Sequence, residues 1–90
     1  MGVIRLTGTL TSTPDEVERV RAALCAHVSL TRAEPGCLSF DMTETAPGVF
    51  SVVECFADRA AFDAHQQRTR ASDWWQVTGH MTRDFDPSEA

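Results

Sequence analysis

The stretch Val49–His65, VFSVVECFADRAAFDAH, decides the fold. Its first half, Val49 to Phe56, is rich in Val and Phe, which suit a pleated, half-buried surface, so it predicts a strand. On that strand Phe50, Val52, Glu54 and Phe56 share one face. Asp58 then stands where a helix cap belongs, because its side-chain oxygen can accept from the orphan amides of a first turn. Beyond it, Ala61, Phe62 and His65 are three to four residues apart and fall on one helical face. One strand-to-helix unit therefore carries a carboxylate (Glu54), an aromatic (Phe56) and an imidazole (His65).

On the N-terminal side, Val3 to Leu10 alternates. Ile4, Leu6 and Leu10 share one face and Arg5, Thr7 and Thr9 the other, the pattern of a half-buried strand. Thr13-Pro14-Asp15-Glu16 offers a capping Thr, a Pro at the first helical position and a Glu that closes a capping box, so it predicts a helix start. Val17, Val20, Leu24, Val28 and Thr31 continue at helical spacing to about Ala33. Pro35-Gly36 ends that helix. Cys37 to Thr45 predicts a second strand, with Leu38, Phe40 and Met42 on one face. Pro47-Gly48 is a turn signal that joins strands two and three as a hairpin. After His65, Thr69 to Thr78 predicts a short helix carrying Trp74, Trp75 and Val77. Gly79 punctuates it, and His80 to Asp86 predicts a last strand before Pro87.

The order is strand, helix, strand, strand, broken helix, strand. That is an α+β, ferredoxin-like βαββαβ domain, one domain over residues 1–90 with helices on one sheet face. A chain this short buries only roughly 60–65% of its surface by itself. The open sheet face is expected to carry apolar side chains and to pair with a second copy as a homodimer.

Composition excludes several partners. The net charge is −5 and the chain has no Lys, whereas nucleic-acid binders carry a basic stripe. No run of about 18 apolar residues is present, so no membrane span is expected. The start, MGVIRLTGTL, has no basic head followed by an apolar run, which points to a cytoplasmic protein. Cys25, Cys37 and Cys55 form an odd set without a CxxC pair; they read as small hydrophobes, not as a disulfide framework or zinc site. There is no glycine-rich phosphate loop, GxSxG or HExxH, and the histidines lack metal-ligand spacing, so no metal and no cofactor are expected.

His65 is the sharpest candidate for chemistry: an imidazole between helix and sheet has an unperturbed pKa near 6.5, suited to proton abstraction at neutral pH. The alternative is a helix His bonded to a backbone carbonyl. Glu54 lies among apolar neighbours and needs a partner, either an imidazole or an Arg such as Arg5 or Arg83, unless it points at a dimer seam. Trp74 and Trp75 diverge by about 100° on a helix, so only one can face a pocket squarely. His27 reads as a core or interface residue. His80 reads as lying opposite Met81 and Phe85.

Glu34-Pro35-Gly36-Cys37-Leu38, then Val53-Glu54-Cys55-Phe56 leading into Ala61-Phe62-Asp63-Ala64-His65, resembles the antibiotic biosynthesis monooxygenase domain family, from Val3 to about Pro87. The resemblance implies a dimeric α+β barrel in which two ferredoxin-like sheets pack face to face. It also implies cofactor-independent oxidation of a small phenol or quinol by dioxygen. The implied catalytic residues are His65 with Glu54, and the implied pocket walls are Phe56, Phe62 and Trp74. Phe56 stands where the family pattern has Trp, keeping an aromatic wall without the indole donor. With no Asn in the chain, it is unlike the haem-degrading relatives. Two alternatives stay open: an isomerase of the same superfamily, and a non-enzymatic dimer that binds an apolar ligand.

Overall fold

The computed structural model describes residues 2–89; Met1 and Ala90, the end residues of the domain expected over 1–90, lie outside the described residues. The elements are β1 (Ile4–Thr11), α1 (Val17–Arg32), β2 (Cys37–Ala46), β3 (Val49–Phe56), α2 (Arg59–Arg70), α3 (Asp73–Thr78) and β4 (Thr82–Glu89). The strands form one antiparallel sheet in the order β2-β3-β1-β4. This is the ferredoxin-like βαββαβ arrangement that the element order predicts. Among the described residues no helix is long and apolar enough to cross a membrane.

Alternation determines which face of the sheet is covered. Ile4, Leu6 and Leu10 of β1 and Phe50, Val52 and Phe56 of β3 are buried toward the helices. Fully burying a side chain of this kind is worth about 1.5–3 kcal/mol. Two apolar clusters result. One gathers Ile4, Leu6, Phe40, Val52, Phe56 and Phe62; the other gathers Leu10, Val20, Phe50 and Trp74. Buried polar side chains, Glu54, His65 and His27 among them, occupy the seam between the clusters: His27 touches Phe40 of the first and Trp74 of the second.

Asp58 caps α2 as its chemistry predicts, accepting from the Ala61 amide at 2.8 Å. Gly36 lies immediately before β2 with φ 87°, a conformation that L side chains rarely adopt. A Cβ there would also come within 2.6 Å of Ala61, so α2 rests directly on the turn that precedes β2.

Five local expectations are corrected. Helix α1 begins at Val17, after the Thr13–Glu16 turn. Thr13 Oγ1 donates to the Glu16 side chain at 3.1 Å and His80 and Arg19 hold the same carboxylate, so no capping box forms. Leu38 does not share the buried face of β2. Cys37 opposes Phe56 and Ser39 opposes Cys55, which leaves Leu38 as the extra residue of a bulge, turned outward and 59% exposed. Thr69 belongs to α2, and α3 starts at Asp73 under a Ser72 cap. Strand β4 runs through Pro87 to Glu89, because an edge strand pairs on one side only and tolerates Pro. Finally, the open sheet face is not broadly apolar. Its cross-strand rows are Ser39-Cys55-Arg5-Ser88, Asp41-Val53-Thr7-Asp86 and Thr43-Ser51-Thr9-Asp84, and Val53 is the one large exposed hydrophobic in them. Thr supplies the β-branched preference of a strand without the apolar surface.

Candidate active site

His65 reaches the seam from the face of α2 that the spacing predicts, and only 4% of it is exposed. Its ring packs against Phe56, with centroids 4.8 Å apart. The Glu34 carboxylate, in the turn between α1 and β2, meets Nδ1 at 2.8 Å. Arg68, one turn further along α2, donates from Nε to the other oxygen of Glu34 and from its terminal nitrogen to Thr31 Oγ1 at 2.9 Å. An Arg-paired carboxylate accepts hydrogen bonds only, so Nδ1 carries the proton and Nε2 is left as the acceptor. Around Nε2 stand the Thr69 hydroxyl at 3.4 Å and Glu54 Oε1 at 3.7 Å.

Glu54 lies on the inner face of β3, and no hydrogen bond joins it to the imidazole. The residue that holds His65 is Glu34, and Glu54 is instead its neighbour across Nε2. Neither Arg considered for Glu54 is its partner. Arg5 lies in the outward rows, and Arg83 donates to the Thr78 carbonyl and hydroxyl at 2.6 and 2.7 Å. Burial, reinforced by the negative charge of Glu34, pushes the Glu54 carboxyl up to about 7. Burial pushes the His65 imidazole the opposite way, below its ordinary 6.5, with Glu34 opposing that shift. Near neutral pH the imidazole is therefore uncharged, while the carboxyl is about half protonated.

These side chains line a cavity of about 200 Å³ between the inner sheet face and the helices. His27, His65, Gln66, Thr69, Trp74 and Trp75 border it from the helical side, and Phe40, Glu54, Arg83 and Phe85 from the sheet. Thus His65, Glu54 and Trp74 come together as expected. Phe56 and Phe62 do not border the cavity; Phe56 backs the imidazole, and Phe62 packs edge-on behind Phe56 at 5.9 Å. Both tryptophans reach the cavity, with Trp74 buried and Trp75 half-buried.

The sequence reading missed Glu34, Arg68 and His27 as site residues. Glu34 and His65 are separated by 31 positions, and no local periodicity links them. His27 read as core or interface, and it is buried, stacked on Trp74 at 4.6 Å with 5° between the planes. Its Nδ1 is enclosed without a hydrogen-bond partner, and burial, helped by the charges of Arg68 and Arg83, lowers its pKa to about 3. Arg83 alternates with Phe85 on β4, a period-2 signal from which its place on the inner face could have been read. His80 is exposed and bonds Glu16. Among the described residues no group of three or more His, Cys, Asp or Glu side chains is arranged to hold a metal ion.

Fold and site together define a ferredoxin-like α+β domain with a carboxylate-held imidazole facing a small cavity between sheet and helices. Residues 3–77 match the pattern of the antibiotic biosynthesis monooxygenase family, and the chain belongs to that family. A curated relative, "Putative monooxygenase Rv0793" of Mycobacterium tuberculosis, is 43% identical over 54 residues; the match spans 59% of this chain and 54%, about half, of the relative. The solved structure of Rv0793 superposes with a TM-score of 0.80 at 26% identity, covering 98% of this chain and 94% of the other. A "putative antibiotic biosynthesis monooxygenase" from Nitrosomonas europaea gives a TM-score of 0.85 at 20% identity over 100% and 92% of the two chains, a likeness of fold alone.

Proposed function

We propose that the protein is a monooxygenase that oxidises a single-ring phenol or quinol with dioxygen, using His65 as base and Glu54 as acid. The observation that carries this reading is the orientation of His65. Nδ1 is fixed by Glu34, which Arg68 holds in turn, and Nε2 is the acceptor nitrogen, with a long 3.4 Å contact to the Thr69 hydroxyl and Glu54 beside it. Two titratable groups driven apart in opposite directions by their environments are a recurring acid–base arrangement. The cavity limits the substrate, since a void of about 150 Å³ accepts one benzene ring and this one measures about 200 Å³.

Neutral His65 takes the hydroxyl proton, leaving an electron-rich oxyanion in the ring. That anion passes an electron to dioxygen, and the two radicals join at a ring carbon as a peroxide. The peroxide takes a proton from the acid side of the site, where Glu54 holds one. The O–O bond then breaks as the ring carbon loses its hydrogen; one oxygen stays as a quinone carbonyl and the other departs as water. For a phenol, one ring and one dioxygen become one quinone and one water. All four electrons come from the substrate, so the scheme calls for no flavin, haem or metal.

A positioned general base contributes about 10²- to 10⁴-fold in rate. Oxygen uptake with a panel of single-ring phenols and quinols is expected from the purified protein in chelator. His65→Ala should reduce it by that factor in a protein that melts lower but still unfolds cooperatively. Absence of uptake with every member of the panel sinks the reading, and substrate conversion without oxygen uptake points instead to an isomerase.

A further inference from the structure

Arg83 is the feature of the cavity that the oxidation does not use. Its guanidinium is half-buried on the inner face of β4 and lies 4.6 Å from the centre of the Trp75 ring. Two of its donors go to Thr78, to the carbonyl at 2.6 Å and the hydroxyl at 2.7 Å. A guanidinium has five N–H donors and cannot shed its charge, so donors remain over, and no carboxylate among the described residues pairs with them. Arg70 borders the same cavity, and Glu54 is the one carboxylate in its lining. At this cavity positive groups therefore outnumber negative ones, although the chain carries a net charge of −5. His27, which also borders the cavity, has an Nδ1 that is buried without a hydrogen-bond partner in the chain.

We infer that Arg83 anchors a carboxylate on the substrate ring, so that the substrate class is a single-ring aromatic acid bearing the oxidisable hydroxyl elsewhere on the ring. This rests on the cavity being the substrate site proposed above. A planar guanidinium matches a carboxylate with two parallel hydrogen bonds, and the Trp75 ring face lies beneath its central carbon in a cation–π contact. Burial, which disfavours the bare charge of Arg83, is relieved when an anion arrives. The ring then lies between this anchor and His65, and a small cavity leaves it little freedom to turn. Arg83 is in this sense a positioning residue for the step at His65.

The test needs no turnover. Calorimetric titration with benzoate and with its neutral isostere benzamide should show the wild-type protein preferring benzoate by about tenfold or more, the usual worth of a charge-assisted pair. Arg83→Gln should bring the benzoate affinity down to that of benzamide and so abolish that preference. Arg83→Lys, which keeps the charge and loses the fork, should give an intermediate preference. Equal binding of benzoate and benzamide by the wild type overturns the inference, as does no benzoate binding at all. An undiminished benzoate preference in either folded variant overturns it too. If benzoate is preferred yet no ring is ever oxidised, the anchor stands and the monooxygenase reading falls.

Discussion

His65 and Glu54 stand 3.7 Å apart in surroundings that reverse their usual order of acidity. The imidazole is pushed below 6.5 and the carboxyl is raised to about 7. The rate should therefore rise with pH as His65 loses its proton below 6.5 and fall above about 7 as Glu54 ionises, giving a narrow bell. Glu54→Gln should keep the rising limb, remove the falling one and cost less activity than His65→Ala. The same residue has a signature in stability. A carboxyl whose folded pKa is raised from 4.5 to about 7 contributes fully below 4.5 and loses that contribution as pH climbs to about 7. At 1.36 kcal/mol per pH unit this is on the order of 3 kcal/mol, so Glu54→Gln should melt higher than the wild type at pH 8. His65 acts in the other direction: with its pKa depressed, stability is present above 6.5 and declines as pH falls below it. A lower-melting Gln variant at pH 8 would show that Glu54 is stabilised as an anion. At this scale the sequence revealed what is local. The inward face of Glu54 follows from Phe50 and Val52, and that of His65 from Phe62. Nothing local joins Glu34 to His65, since their contact exists only once Gly36 sets α2 against the turn before β2.

Helix α2 carries the base and is anchored at its first turn by Asp58, whose side chain accepts from Ala61. Removing such a cap costs about 1 kcal/mol. Asp58→Ala should lower stability by about that amount in urea titrations and leave the substrate preference intact; a change near zero would mean that packing of Phe62 alone fixes the helix start. Element types were legible throughout, because periods of 2 and 3.6 do not resemble each other. Boundaries were not. At Glu16 the carboxylate that a capping box needs is shared with Arg19, a neighbour three residues on, and with His80, a partner that no window of sequence around it would reveal. At Leu38 a bulge shifts the alternation by one, and an apolar residue ends up facing water. Alternation predicts faces only while the ladder is unbroken.

As a whole the chain leaves one sheet face without a covering layer, and we propose that a second copy covers it. The support is architectural, since helices lie on the other face only. It is not the broad apolar surface the strand patterns suggested, because Thr, Ser and Asp fill the rows around Val53. Such a seam is polar, and Arg5 faces a surface that carries Asp41, Asp84 and Asp86. Sedimentation equilibrium should show a dimer at micromolar concentration that Arg5→Glu weakens; a folded wild-type monomer under those conditions refutes it. The order of elements, and so the topology, was readable because the turns into β2, β3 and β4 carry their own punctuation at Pro35-Gly36, Pro47-Gly48 and Gly79. The strand order places β1 centrally, with Ile4 paired to both Phe56 and Glu89. A chain made from its N-terminus therefore completes this sheet only when its last strand arrives. Until then His65, Glu34 and Glu54 can already be together, while Arg83 and Phe85 are missing from the cavity wall. Proteolysis or early termination before residue 82 would remove Arg83 and Phe85, and with them the wall that holds a ring against the proton-handling side chains.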